Sequence, residues 1–134
     1  MAGNKYGATP HSYEGIDFKS QLEVMIYKTL KEYGFEPQYE ANTYQIVSGF
    51  YPTVRFYDRD KKTRQLKLQK DKIRSMTYTP DFTFFYNNYY CIIEAKGMEN
   101  DAFPLKKKLF RAFMEKQKDS QFEWIYFEVR TKRE

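Results

Sequence analysis

The sequence predicts an α/β protein: a mixed central sheet flanked by helices, with a basic β-hairpin inserted ahead of the central strands. Three observations carry this. A capped amphipathic helix begins near Ser20, an aromatic β-hairpin turns at Asn87-Asn88, and a helix opening at Pro104 is followed by an apolar strand. Sheets of this mixed kind need helices to cover their apolar faces.

Residues Met1 to Tyr13 contain Gly3, Gly7 and Pro10 and read as a flexible or partly ordered arm, which also carries His11, the only histidine. The first helix should run from Ser20 to Gly34. Ser20-x-x-Glu23 is a capping box, Gly34 suits the position after the last turn, and Pro37 prevents continuation. Glu23, Ile26, Tyr27 and Leu30 fall on one stripe at helical spacing. Glu36 to Ile46 reads as extended, and Ser48-Gly49 and Pro52 break it. Residues 47–74 form the insertion: Val54 to Tyr57 as a strand, Asp58-Arg59-Asp60-Lys61 as its turn, and Arg64 to Lys70 as a half-exposed return strand. Ile73 to Thr79 leads into the next strand, with Pro80 setting the backbone before Asp81. Met98 to Ala102 is a loop. The second helix should run from Pro104 to about Lys118, burying Leu105, Leu109, Ala112 and Phe113. Phe122 to Val129 is a final apolar strand before a polar tail.

The chemistry concentrates at the hairpin. With Asn87-Asn88 as its turn, Tyr86 pairs Tyr89, Phe85 pairs Tyr90, and the same register sets Asp81 opposite Glu94. Residues so paired hold their Cβ atoms roughly 5 Å apart on one face, and Lys96 shares that face with Glu94. Phe82, Phe84, Cys91 and Ile93 point the other way, into the core, while Thr83 and Ile92 accompany the acids. Two carboxylates at that separation repel by about 3 kcal/mol at an effective dielectric near 20. A hard divalent cation offsets this repulsion directly, and the Lys96 ammonium can sit beside a hydroxide or phosphate oxygen. The plain alternative is an exposed hairpin with scattered charges. Gly97 is expected to let the chain turn sharply next to this site.

At 134 residues, with 41% apolar and 19% aromatic residues, the chain is one domain with material for a modest core. Mean hydropathy of −0.84 and the lack of a long apolar run argue against a transmembrane helix. The polar N-terminus carries no signal-peptide pattern, and the single Cys91 suits a reducing cytoplasm. The net charge of +5 is unevenly spread: residues 55–74 hold nine Lys or Arg against three Asp, while the rest of the chain is slightly acidic. Such a segment is either a solvated face or the contact for a polyanion; beside a phosphodiester-type site, DNA is the expected partner. No glycine-rich phosphate loop and no Cys/His zinc cluster is present.

Pro80-Asp81 followed by Glu94-Ala95-Lys96 resembles the PD-(D/E)xK nuclease superfamily. The resemblance extends to Ser20-Gln21-Leu22-Glu23, Thr77 to Phe82, Glu94-x-Lys96-Gly97 and the basic helix and strand that follow. Lys5-Tyr6 and Gly15-Ile16-x-Phe18 add to it, so that most of the chain is similar to phage endonuclease I and related small phage nucleases, which resolve Holliday junctions. This implies a restriction-endonuclease-like αβββαβ core and a Mg²⁺-dependent endonuclease, with Mn²⁺ substituting. Asp81, Glu94 and the Ala95 backbone carbonyl would ligate metal, and Glu23 would hold a second ion or its water; the competing role for Glu23 is as a helix cap alone. Lys96 would position the attacking water or stabilise developing charge. Arg59, Lys61, Lys62, Arg64, Lys67 and Lys70 of the insertion, with Lys106, Lys107, Lys108 and Arg111 of the second helix, would contact DNA. Branched-DNA selection needs two active sites held apart, hence a homodimer. The insertion is longer, and the C-terminal tail shorter, than the phage enzymes lead one to expect, leaving open whether the insertion meets DNA or the partner subunit. The competing functions are a non-catalytic DNA-binding module of the same fold and a restriction or transposon-end nuclease.

Overall fold

A computed structural model describes residues 11–97 and 102–131. Lys5-Tyr6, most of the N-terminal arm and most of the Met98–Ala102 loop lie outside them. Four strands form the main sheet: β3 (Gln38–Tyr39), β8 (Phe82–Tyr86), β9 (Tyr89–Ala95) and β10 (Glu123–Val129), in the order β10-β9-β8-β3. β10 runs parallel to β9 and the other pairs are antiparallel, so the sheet is mixed. The hairpin register is the expected one, Tyr86 with Tyr89 through Phe82 with Ile93, turning at Asn87 in the left-handed region at φ 51°.

Helix α1 (Gln21–Glu32) covers one face of this sheet. Ser20 is its N-cap, the hydroxyl accepting from the Glu23 N–H at 3.2 Å, and Gly34 follows the last turn at φ +89°. Val24, Ile26 and Tyr27 pack with Phe18 against Phe82, Phe84, Cys91 and Ile93. Helix α2 (Phe103–Glu115) covers the other face, where Phe110 meets Tyr78, Tyr90 and Ile92. α2 ends three residues short of Lys118, and its buried stripe is rotated from the expected one. Phe103, Phe110, Phe113 and Met114 face inward, whereas Leu105 and Ala112 are exposed. The aromatic rings win because the strands beneath offer Tyr44, Trp124 and Tyr126 for ring-on-ring packing.

The end of the N-terminal arm is ordered, as its reading allowed: β1 (Ser12–Tyr13) and β2 (Ile16–Asp17) make a hairpin turning at Glu14 and Gly15, both left-handed. Two further readings need correction. In the insertion, the outgoing strand is β5 (Tyr57–Arg59) rather than Val54 to Tyr57, paired with β6 (Leu66–Leu68). Its tip lies further along than expected because Asp60 organises it: the Lys62 N–H donates to its carboxylate at 3.0 Å and the Arg64 N–H to its carbonyl at 2.8 Å. Finally, residues Ile73 to Thr79 do not run on into β8. β7 (Met76–Tyr78) pairs instead with β4 (Tyr44–Val47) in a separate two-stranded sheet. Buried Pro80, which has no N–H to donate, stands at the break between β7 and β8.

The insertion is thus an arm rooted between β4 and β7. At its base Phe50 and Ile73 exchange both backbone hydrogen bonds, at 2.9 and 2.8 Å. Gly49 is required there, since a Cβ would lie 2.9 Å from the Ile73 carbonyl oxygen.

Candidate functional site

The end of the main sheet where β8 begins and β9 finishes gathers Glu23, Asp81 and Lys96, only 5%, 7% and 8% exposed, together with half-buried Glu94. Each arrives by a different local device. Asp81 follows Pro80, and its carbonyl is tied to the Glu40 N–H at 2.8 Å. Its carboxylate accepts from the Ala95 N–H at 2.7 Å, which draws it across to β9 beside Glu94. Glu94 accepts a short hydrogen bond from the Tyr78 hydroxyl, which the Tyr126 hydroxyl meets at 3.0 Å. Glu23 accepts from the Lys19 N–H and from the Tyr39 hydroxyl, both at 2.8 Å. The capping box is therefore completed one residue early, through Lys19. Glu23 is both cap and site residue: its side chain also reaches that of Asp81.

Lys96 continues past β9, its N–H donating to the Val129 carbonyl at 2.8 Å. Its ammonium lies 4.4 Å from the centre of the Phe103 ring and acts electrostatically on Glu128. Gly97 stands at a bend just past β9; its backbone is not left-handed, and among the described residues no atom lies within 4 Å of where a Cβ would sit.

Burial raises the Asp81 carboxyl affinity for a proton, and the charges of Glu94 and Glu23 raise it further against the opposing Ala95 N–H. Burial also raises Glu94, despite the Tyr78 hydrogen bond, with Glu23 and Glu128 adding repulsion. Burial keeps Tyr39, Tyr78 and Tyr126 neutral, so they serve as hydroxyl donors and acceptors only. Glu128, opposite Glu94 on the parallel strand, behaves differently. Its own burial would raise it, but the ion pair with Lys107 at 2.7 Å, with Lys96 and Arg130 nearby, holds it below the usual range.

These carboxylates offer hard oxygen donors that repel one another, which is the donor chemistry a divalent cation relieves. Among the described residues, no group of three or more His, Cys, Asp or Glu side chains is placed so that it could hold a metal ion. A pair of carboxylates with a backbone carbonyl is still sufficient protein for an ion that keeps several waters.

The repulsion has a measurable consequence. Asp81 is pushed up to about 8 in the folded protein, above its unfolded value of about 3.9. A raised carboxyl contributes stability below its unfolded pKa and loses it as pH rises through the folded one. In EDTA the melting temperature should therefore fall as pH climbs from about 6 to 9, and Asp81→Asn should flatten that slope. A thermal-shift series in which the wild type gains stability over the same range would contradict this crowding.

The remaining candidates fall on two surfaces. Arg59, Lys61, Lys62, Arg64, Lys67 and Lys70 are all exposed on the arm. On α2, Lys108 and Arg111 are exposed, Lys106 is half-buried, and Lys107 is committed to Glu128. Sequence reasoning assigned no role to Tyr39, Tyr78, Tyr126 or Glu128. Tyr78 stood inside the very motif that drew attention, but its reach to Glu94 depends on β7 leaving the main sheet. The register that sets Glu128 beside Glu94 is parallel and has no turn to count from.

Fold and site together define a small α/β protein with a mixed sheet, a helix on each face, and a carboxylate-rich centre with a buried lysine at one sheet end. The chain belongs to the family described as protein of unknown function (DUF1064), whose profile matches residues 3–132. No curated protein and no solved structure matches it. No helix among the described residues is long and apolar enough to cross a membrane.

Proposed function

We propose that the protein is a metal-dependent, structure-selective DNA endonuclease of the PD-(D/E)xK kind, acting as a homodimer on four-way or otherwise branched DNA. The observation that carries this reading is the meeting of buried Asp81 with half-buried Glu94 at one end of the sheet, with Glu23 behind them and Lys96 alongside. The succession α1, β3, the β8–β9 hairpin, α2 and parallel β10 also fits the αβββαβ core of that superfamily.

Asp81 and Glu94, with the Ala95 carbonyl, would hold Mg²⁺, or Mn²⁺ in its place, and Glu23 would steady a second ion or its water. A bound divalent cation supplies an acidified water and neutralises phosphate charge. Tyr78 and Tyr39 fix the carboxylates by hydrogen bonds, limiting the motion of the donors before substrate arrives. Lys96 places a positive charge where hydroxide and the pentavalent phosphate develop negative charge. One P–O bond forms to the water oxygen and one breaks to the leaving sugar oxygen, which takes up a proton. Cys91, buried in the core, is outside this chemistry and suits a reducing cytoplasm.

The test compares a fixed four-way junction with a linear duplex of the same sequence in Mg²⁺ and in Mn²⁺. The junction should be cut at least about ten times faster, a difference of about 1.4 kcal/mol. If neither DNA is cut while both are bound, and Lys96→Ala changes nothing, the protein is a binding module that keeps the fold without the reaction.

A further inference from the structure

The arm combines two surface properties, exposed aromatic rings and an excess of positive charge. Tyr51 is 71% and Phe56 60% exposed, and Tyr57, Val54 and Leu66 are exposed around them. The same 20-residue stretch from Arg55 to Arg74 carries an excess of six positive charges. Among the described residues, Lys61, Lys62, Arg64, Lys67 and Lys70 form no ion pair. Pairing of Tyr57 with Leu68 and of Arg59 with Leu66 puts an aromatic ring, two leucines and a guanidinium on one side of the β5–β6 ladder. Lys72 lies 5.6 Å from the centre of the Tyr51 ring, so a cation stands directly beside an exposed aromatic face.

A partner must match both properties. A second copy would match the rings but would bring its own sixfold positive excess against this one, a repulsion at close quarters. Paired duplex would match the charge but keeps its base faces stacked and out of reach. Unpaired nucleotides present phosphates and open π-faces together, and exposed aromatics alternating with Lys and Arg are the surface that holds them.

We propose that the arm binds the unpaired bases of DNA, Tyr51 and Phe56 stacking on them while the tip residues Lys61, Lys62 and Arg64 take the phosphates. This deepens the nuclease reading and rests on it for where such bases occur, namely the point at which the strands of a branched substrate part. The stacking itself is independent of cleavage.

Binding is measured by fluorescence anisotropy in EDTA with a labelled oligo-dT strand, a duplex of equal length, and a four-way junction carrying 2-aminopurine at the branch. The single strand should bind at least about tenfold tighter than the duplex, and the junction should show quenched or shifted 2-aminopurine emission. Tyr51→Ala and Phe56→Ala should each weaken single-strand binding by about five- to a hundredfold and leave duplex binding within about twofold. Phe56→Trp should restore it. Replacing Lys61, Lys62 and Arg64 with Ala should weaken all three DNAs and reduce the salt slope by up to about three phosphate contacts. Equal losses on single strand and duplex in the aromatic variants would overturn the proposal. So would variants that bind DNA normally but turn a dimer into a monomer, since the arm's occupant would then be the second copy. Stacking without junction cleavage would fail the nuclease reading alone; junction cleavage by a protein that binds single strand no better than duplex would fail this inference alone.

Discussion

Asp81→Asn is expected to lower junction cleavage by at least about 10³-fold while junction binding stays within a few-fold of wild type. Asparagine keeps the size of the side chain and an oxygen that can still accept from the Ala95 N–H, a bond of 2.7 Å in the parent protein. What disappears is one of the two carboxylates that meet where β8 begins and β9 ends, and with it most of the attraction for a divalent cation. A loss of 10³ is about 4 kcal/mol of barrier, within what removal of a charge-stabilising group at a reacting centre produces. The same substitution relieves the Asp81–Glu94–Glu23 crowding, so the metal-free variant should melt higher than the parent. Inert and more stable is a combination that simple misfolding does not give. Single-turnover cleavage measured beside a thermal-shift curve reads both, and a variant that still cuts would remove the proposed role of this carboxylate.

Phe110→Ala is expected to destabilise the protein by about 3–5 kcal/mol, whereas Leu105→Ala on the same helix should cost under about 0.5 kcal/mol. Phe110 is 0% exposed and Leu105 is 53% exposed. The Phe110 ring sits 4.7 Å from that of Tyr78 and 5.5 Å from that of Tyr44, between α2 and the strands it covers. Its loss opens a cavity under α2 and removes the support of the tyrosine that donates to Glu94. With total stability in the range of about 5–15 kcal/mol, such a variant would be partly unfolded near 37 °C. Urea denaturation decides the matter, and equal costs at the two positions would mean that α2 presents a different face to the sheet.

That comparison also marks where the sequence could and could not be read. The register from Tyr86–Tyr89 to Phe82–Ile93 was legible because a two-residue turn leaves a hairpin no freedom of register, and Asp81, one residue before the paired strand, is then drawn toward Glu94 by the Ala95 N–H. The cap at Ser20 and the stop at Gly34 were legible for a similar reason: both are local backbone requirements met by local side chains. The buried face of α2 was not. Two apolar stripes run along that helix, one through Leu105 and Leu109 and one through Phe103, Phe110 and Met114, and periodicity does not rank them. The choice belongs to the aromatic rings of β4, β9 and β10, which come from three distant stretches of chain. The same holds for Tyr78, whose hydroxyl reaches Glu94 only because Pro80 separates β7 from β8, and for Glu128, whose place depends on a helical crossover. Charge composition located the arm, but the Asp60 turn that shapes its tip had to be seen to be placed.

The reciprocal hydrogen bonds between Phe50 and Ile73 have one further implication. Backbones so bonded stand about 5.5 Å apart, a gap that a two-residue turn can close. Everything from Tyr51 to Lys72 is therefore a cassette plugged into a socket, and its length and content can drift while the socket, the sheets and the carboxylates keep their geometry. Descendants of one ancestral scaffold could trade such cassettes and so change what they grasp without relearning how to fold.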